Sequence, residues 1–175
     1  WREHDHNPIA LLAEITSTQL YQRANEMVLF RRINQAYRRL KEYMGNHQTW
    51  GSTHAGVLGA KPVAYFSAEF GIHESLPIYS GGLGVLSGDL IKSASNLGVP
   101  LVAVGLFYAQ GYFRQKLDRQ GTQYEEYDNT QVEKLPIVPA VNQFGDAIMI
   151  DLKTRTGLLK IKVWKLQVGR VSLFL

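Results

Sequence analysis

Between Val63 and Phe107 the sequence places an apolar run, a glycine-rich loop, a stretch of helical period and a second apolar run, in that order. Val63-Ala64-Tyr65-Phe66 reads as a short buried strand. Gly81-Gly82-Leu83-Gly84 opens a stretch in which Leu83, Leu86, Leu90, Ala94 and Leu97 recur three and four residues apart, one face of a helix. Gly98 stops it and Pro100 follows. Leu101 to Phe107 is a second buried strand. This order is a βαβ unit, which predicts an α/β fold with parallel pairing and a right-handed crossover.

The flanks differ from each other. Asn7 and Pro8 read as an N-cap and first helical residue leading into Ile9, Leu11, Leu12 and Ile15. A second helix is predicted from about Tyr21 to Met44, with Leu29, Ile33, Tyr37, Leu40 and Met44 as its apolar stripe. Arg31, Arg32, Arg38, Arg39 and Lys41 lie mostly off that stripe and read as a solvated face. Gly45 to Lys61 is expected as a loop, and its His47 and His54 lack helical ligand spacing. Downstream, Tyr112–Leu117 and Thr122–Tyr127 flank a turn at Asp118-Arg119-Gln120-Gly121. Ala147–Leu152, Leu158–Leu166 and Val171–Leu175 read as a meander, with Leu159, Ile161 and Val163 buried and Lys160 and Lys162 wet. The expected organisation is a helical segment over 1–60 and an α/β domain over 61–175.

Composition bounds the function. The 175 residues are 45% hydrophobic and 19% charged, a globular chain able to bury a core. A net charge of +4 is too small to argue for nucleic acid. With no cysteine there is no disulfide scaffold, thiol nucleophile or cysteine-ligated metal. The longest uncharged run, Ser93 to Phe113, carries Asn96, Gly98, Pro100 and Gly105 and makes a poor membrane span. No secretory leader is visible, so a cytoplasmic location is expected. Both ends read as cut, and the chain is expected to be part of a longer protein.

The glycine loop is the candidate site. Amides at a helix start lack partners, and the dipole there favours an anion. Gly81, Gly82, Leu83 and Gly84 can therefore cradle a phosphate, or form a tight turn with close helix packing. No Gly-Lys-Ser/Thr follows, so this is no P-loop. Ser87 stands where a dinucleotide fingerprint has its third glycine, and no acid ends the next strand at Gly105-Leu106-Phe107-Tyr108. A nicotinamide enzyme is disfavoured.

Four segments taken together carry a family resemblance. They are Tyr65-Phe66-Ser67-Ala68-Glu69-Phe70-Gly71, Gly81-Gly82-Leu83-Gly84, Leu97-Gly98-Val99-Pro100-Leu101-Val102-Ala103-Val104-Gly105 and Gly111-Tyr112-Phe113-Arg114-Gln115. They resemble the N-terminal domain of α-glucan (glycogen/maltodextrin) phosphorylases. His73-Glu74-Ser75-Leu76-Pro77-Ile78-Tyr79-Ser80 is similar to the short bacterial and archaeal branch. The resemblance implies an incomplete N-terminal Rossmann-like domain of a GT-B glycosyltransferase. It implies transfer of a terminal α-1,4-linked glucosyl unit from glycogen or maltodextrin to inorganic phosphate, giving α-glucose 1-phosphate. Pyridoxal phosphate is implied as cofactor, held mainly by a C-terminal domain absent from these residues. That domain is the implied partner, and a homo-oligomer is left open. Neither nucleic acid nor membrane is an expected partner.

By the same resemblance, Gly82, Leu83 and Gly84 are the catalytic loop, and with Gly81 they contact phosphate and sugar. Glu69, His73, Tyr79 and Ser80 are candidates to line the cleft. Glu69 can equally be a structural hydrogen-bond acceptor, and His73-Glu74 a surface loop. Asp89 falls off the apolar stripe and reads as solvated. Tyr108, Tyr112, Phe113 and Arg114 can contact sugar, although aromatics in a β-rich region are more often core. Starch and glycogen synthases share the Ser-Ala-Glu and Gly-Gly-Leu-Gly segments, but carry Lys-Thr before the loop and Asp after it. This chain has Tyr79-Ser80 and Val85 there. The alternatives are a glucan-binding module without catalysis and a nucleotide-sugar transferase of the same architecture.

Overall fold

The structure is a computed structural model that describes residues 2–4 and 6–175. Trp1 and Asp5, at the head of the expected helical segment, lie outside the described residues. The chain is mixed α/β. It begins with helices α1 (Pro8–Glu14), α2 (Ser17–Ala24), α3 (Met27–Gly45) and α4 (Trp50–His54). Strand β1 (Val63–Phe66), helix α5 (Gly82–Leu97) and strand β2 (Leu101–Val104) follow. The rest is β3 (Arg114–Leu117), β4 (Gln123–Glu126), β5 (Val138–Pro139), β6 (Met149–Thr154), β7 (Gly157–Lys162), β8 (Trp164–Val168) and β9 (Val171–Phe174).

The main sheet has the order β1-β2-β9-β8-β5. β1 and β2 pair in parallel, Val63 opposite Leu101 and Phe66 opposite Val104, with α5 between them in sequence. β9 continues the parallel set beside β2, and β8 returns antiparallel to β9. The core lies under α5, where Phe70, Ile91, Ala103, Val171 and Leu173 are almost fully buried.

Local chemistry sets the helix ends. Asn7 caps α1 by accepting from the amides of Ile9 and Ala10, with Pro8 at the first turn. Thr16 and Gln19 form a capping box for α2. α5 ends on Gly98 at φ 66°, the left-handed conformation that glycine adopts at low cost.

Several expectations are corrected. The single helix from Tyr21 to Met44 is two helices, because Asn25 turns back onto the Tyr21 carbonyl and Glu26 is extended. The Gly45–Lys61 loop contains α4, started by a Thr49–Ser52 capping box, and a 3₁₀ turn over Gly56–Gly59. The α3 stripe is exposed at Ile33, Tyr37, Leu40 and Met44, since α3 meets the remainder mainly through α2 and Tyr43. β1 is an edge strand and not a buried one; Phe66 is 72% exposed. The strand expected over Leu158–Leu166 breaks at Val163. Its first half pairs with β6 in a separate ribbon whose side chains are exposed on both faces, and its second half joins the main sheet.

Candidate functional site

Helix α5 sits on the sheet by an unexpected face. Its buried residues are Gly84, Ser87, Gly88, Ile91, Ala94 and Ser95, while Leu83, Leu86 and Leu97 are about half exposed or more. The reason is distance. A Cβ on Gly88 would lie 2.1 Å from the Gly71 carbonyl oxygen, and one on Gly71 would lie 3.0 Å from the Gly84 carbonyl carbon. The Gly71 amide donates to the Gly84 carbonyl at 2.6 Å. Ser87 Oγ meets Ser67 Oγ at 2.7 Å. Small residues thus let the start of α5 touch the backbone that leaves β1.

Glu69 organises what lies above this contact. Its side chain sits under the glycine loop, only 5% of the residue exposed. Oε2 accepts from the Tyr79 amide at 2.7 Å and the Ser80 amide at 3.2 Å, and Oε1 accepts from the Gly84 amide at 3.2 Å. A carboxylate taking backbone amides at a helix N-terminus makes charge-assisted bonds and is favoured by the helix dipole. Glu69 therefore underlies the loop as an acceptor, one of its two sequence readings, and is hidden from the surface.

The loop itself is open. Gly81 has φ 73°, and neither Gly81 nor Gly82 has any atom within 4 Å of where a Cβ would stand. The amides of Gly81, Gly82 and Leu83 have no acceptor among the described residues, and all three residues are exposed. The Gly84 amide is directed to Glu69, so the donors open to a ligand are the three before it. Such a run of amides at a helix start suits an anion.

The other candidates fall in different places. Ser80 and Tyr79 are exposed beside the loop, with the Tyr79 ring 5.7 Å from the rings of both Tyr108 and Tyr112. His73 is turned to its own loop, where Nδ1 accepts from the Ser75 amide at 3.1 Å. Asp89 is exposed. Tyr112 is 53% exposed, so it is not in the core. Arg114 Nε is paired with Asp128 Oδ2 at 2.5 Å.

Sequence reasoning missed Arg170. Its guanidinium donates to the Ser95 carbonyl at 2.8 Å and to the Tyr43 carbonyl, and lies 4.0 Å from the centroid of the Tyr43 ring. It ties α3 to the end of α5. Nothing in the sequence signals a partner 127 positions away.

Helix, glycine loop and parallel strands define a mixed α/β protein, and the relatives of the chain narrow the class. A family model described as a protein of unknown function (DUF3417) matches residues 1–76. The whole chain is similar to glycogen phosphorylase of Mycobacterium tuberculosis at 39% identity, and to maltodextrin phosphorylase of Thermococcus litoralis at 37%, covering 21% of each protein. It is 32% identical to glycogen phosphorylase of Aquifex aeolicus over all of the chain and 24% of that protein. The chain thus spans about a fifth of the length of the curated relatives it matches.

Proposed function

We propose that this chain is the N-terminal part of an α-glucan phosphorylase, in which the Gly81–Leu83 amides hold the phosphate that accepts the terminal glucosyl unit of glycogen or maltodextrin. The observation that carries the reading is the row of open amides, fixed from below by Glu69, in a chain 37–39% identical to glycogen and maltodextrin phosphorylases. On this reading residues 61–175 are the first part of a Rossmann-like GT-B domain preceded by a helical segment over 1–60. The product is α-glucose 1-phosphate, and a C-terminal domain supplies the other wall of the cleft.

Within this chain the chemistry is electrostatic. Preorganised amides hold phosphate oxygens without reorganising as charge develops, and the α5 dipole adds to them. Glu69 keeps the loop in place while its own charge is offset by three donors. Pyridoxal phosphate does not find its site here. An imine-forming lysine stands in a closed pocket, whereas the lysines of this chain are exposed except for the half-buried Lys165 on the sheet. The cofactor therefore belongs to the remainder of the protein, and no step through it is drawn.

The test is Gly82→Val in the full-length protein. The space at Gly82 is open, so the variant should fold, while the branched side chain blocks the amides. Loss of one preorganised donor predicts a fall in phosphorolysis of about a hundredfold or more. Near-normal release of glucose 1-phosphate from maltodextrin by a folded variant would reduce the loop to a turn.

A further inference from the structure

Beneath the glycine loop a chain of hydroxyls runs from the sheet to Glu69. Ser67 Oγ donates to the Glu69 carbonyl at 2.9 Å. Ser87 Oγ lies 2.7 Å from Ser67 Oγ, and the Tyr65 hydroxyl lies 3.4 Å from Ser87 Oγ. Counting protons gives the chain one direction. A serine hydroxyl has a single hydrogen to donate. That of Ser67 goes to the carbonyl, which can only accept, so Ser87 donates to Ser67. The hydrogen of Ser87 is then in use, so Tyr65 donates to Ser87. The bonds all point from Tyr65 on β1, through Ser87 on α5, to Glu69. In such a series each bond polarises the next.

Packing does not ask for the Ser87 hydroxyl. Ser87 is 1% exposed, on the buried face of α5 between Gly84 and Gly88. The close approach of that face to the Gly71 backbone calls for a small side chain, and alanine would meet the need. A hydroxyl there has to be desolvated, and its bond to Ser67 offsets that cost. The result is that Glu69 is gripped at both ends. Its carbonyl is held by Ser67 and, through it, Ser87; its carboxylate holds the amides of Tyr79, Ser80 and Gly84. We infer that Ser87 and Ser67 are positioning residues, which act through Glu69 to aim the Gly81–Leu83 amides at phosphate. This rests on the function proposed above. Neither serine touches substrate. Without their bonds the base of Glu69 is free to pivot and carries the loop with it. Preorganised groups are sensitive to this, since misplacement by about 1 Å can cost about a hundredfold in rate.

Phosphorolysis by the full-length protein, with phosphate and maltodextrin varied separately, tests this. Ser87→Ala should raise the KM for phosphate about fivefold or more and leave the KM for maltodextrin within about twofold of wild type. A side chain that served packing alone would lower the melting temperature without that split. Ser67→Ala should show the same split, and it carries the test if Ser87→Ala does not fold. The double variant should lose no more than the worse single variant, because both substitutions cut one chain. An unchanged KM for phosphate in a folded variant, or losses that multiply in the double variant, would overturn the inference. Gly82→Val separates it from the reading beneath it. Near-normal phosphorolysis by Gly82→Val would remove the phosphate loop and the inference together. An impaired Gly82→Val beside normal serine variants would remove the inference alone.

Discussion

Glu69 and Gly84 face each other across fifteen residues of chain, the carboxylate Oε1 3.2 Å from the glycine amide nitrogen. Gly84 lacks a side chain because one would meet Glu69 Cγ at 3.1 Å. The glycine thus serves the carboxylate, and the carboxylate holds the loop through Tyr79 and Ser80. Glu69→Gln should destabilise the chain by about 1.5–3 kcal/mol, since an amide NH₂ group replaces one acceptor oxygen facing backbone donors. Urea unfolding measures this. A change within error would mean that the three bonds are not holding the loop.

Gly88→Ala and Gly82→Ala should part company. The first places a methyl 2.1 Å from a backbone oxygen, the second in open space. Thermal unfolding should show Gly88→Ala destabilised by about 1–3 kcal/mol or more, with Gly82→Ala near wild type. Equal stability of the two would contradict the seating of α5 on Gly71.

That seating was half legible in the sequence. The βαβ order, the loop and the Gly98 stop follow from spacing and backbone preference, and each stands close to where it was read. The buried face of α5 did not follow, because hydropathy points to leucines while close packing against backbone selects Gly84, Ser87 and Gly88. The same limit applies to α3, whose stripe has the right period and nothing to pack on. Of the site, the open glycines could be read directly. The Glu69 bonds needed a fold that brings 69, 79 and 84 together, and the exposed Tyr112 needed the hairpin in place.

Arg170 should act as a latch. Its forked donors serve carbonyls on α3 and α5, a geometry that lysine cannot reproduce. Arg170→Lys should cost about 1–3 kcal/mol and speed proteolytic cleavage near 45–49. Unchanged cleavage would show that α3 is held by other contacts.

The chain alone should release no glucose 1-phosphate from maltodextrin in the presence of phosphate. On the proposed function the chain is one wall of a cleft, and one wall cannot exclude water or orient two substrates. Turnover above background would refute the two-domain reading.

The central claim is tested most directly by donor choice in the full-length protein. A nucleotide-sugar diphosphate needs cationic help at the loop, and synthases place a lysine two residues before the first glycine. Tyr79 stands there, packed against Tyr108 and Tyr112, and among the described residues no lysine or arginine is bonded to the loop. Maltodextrin primer is incubated in parallel with glucose 1-phosphate, ADP-glucose and UDP-glucose, and chain growth is followed. The account predicts extension from glucose 1-phosphate only. Efficient extension from a nucleotide sugar, with none from glucose 1-phosphate, would contradict it.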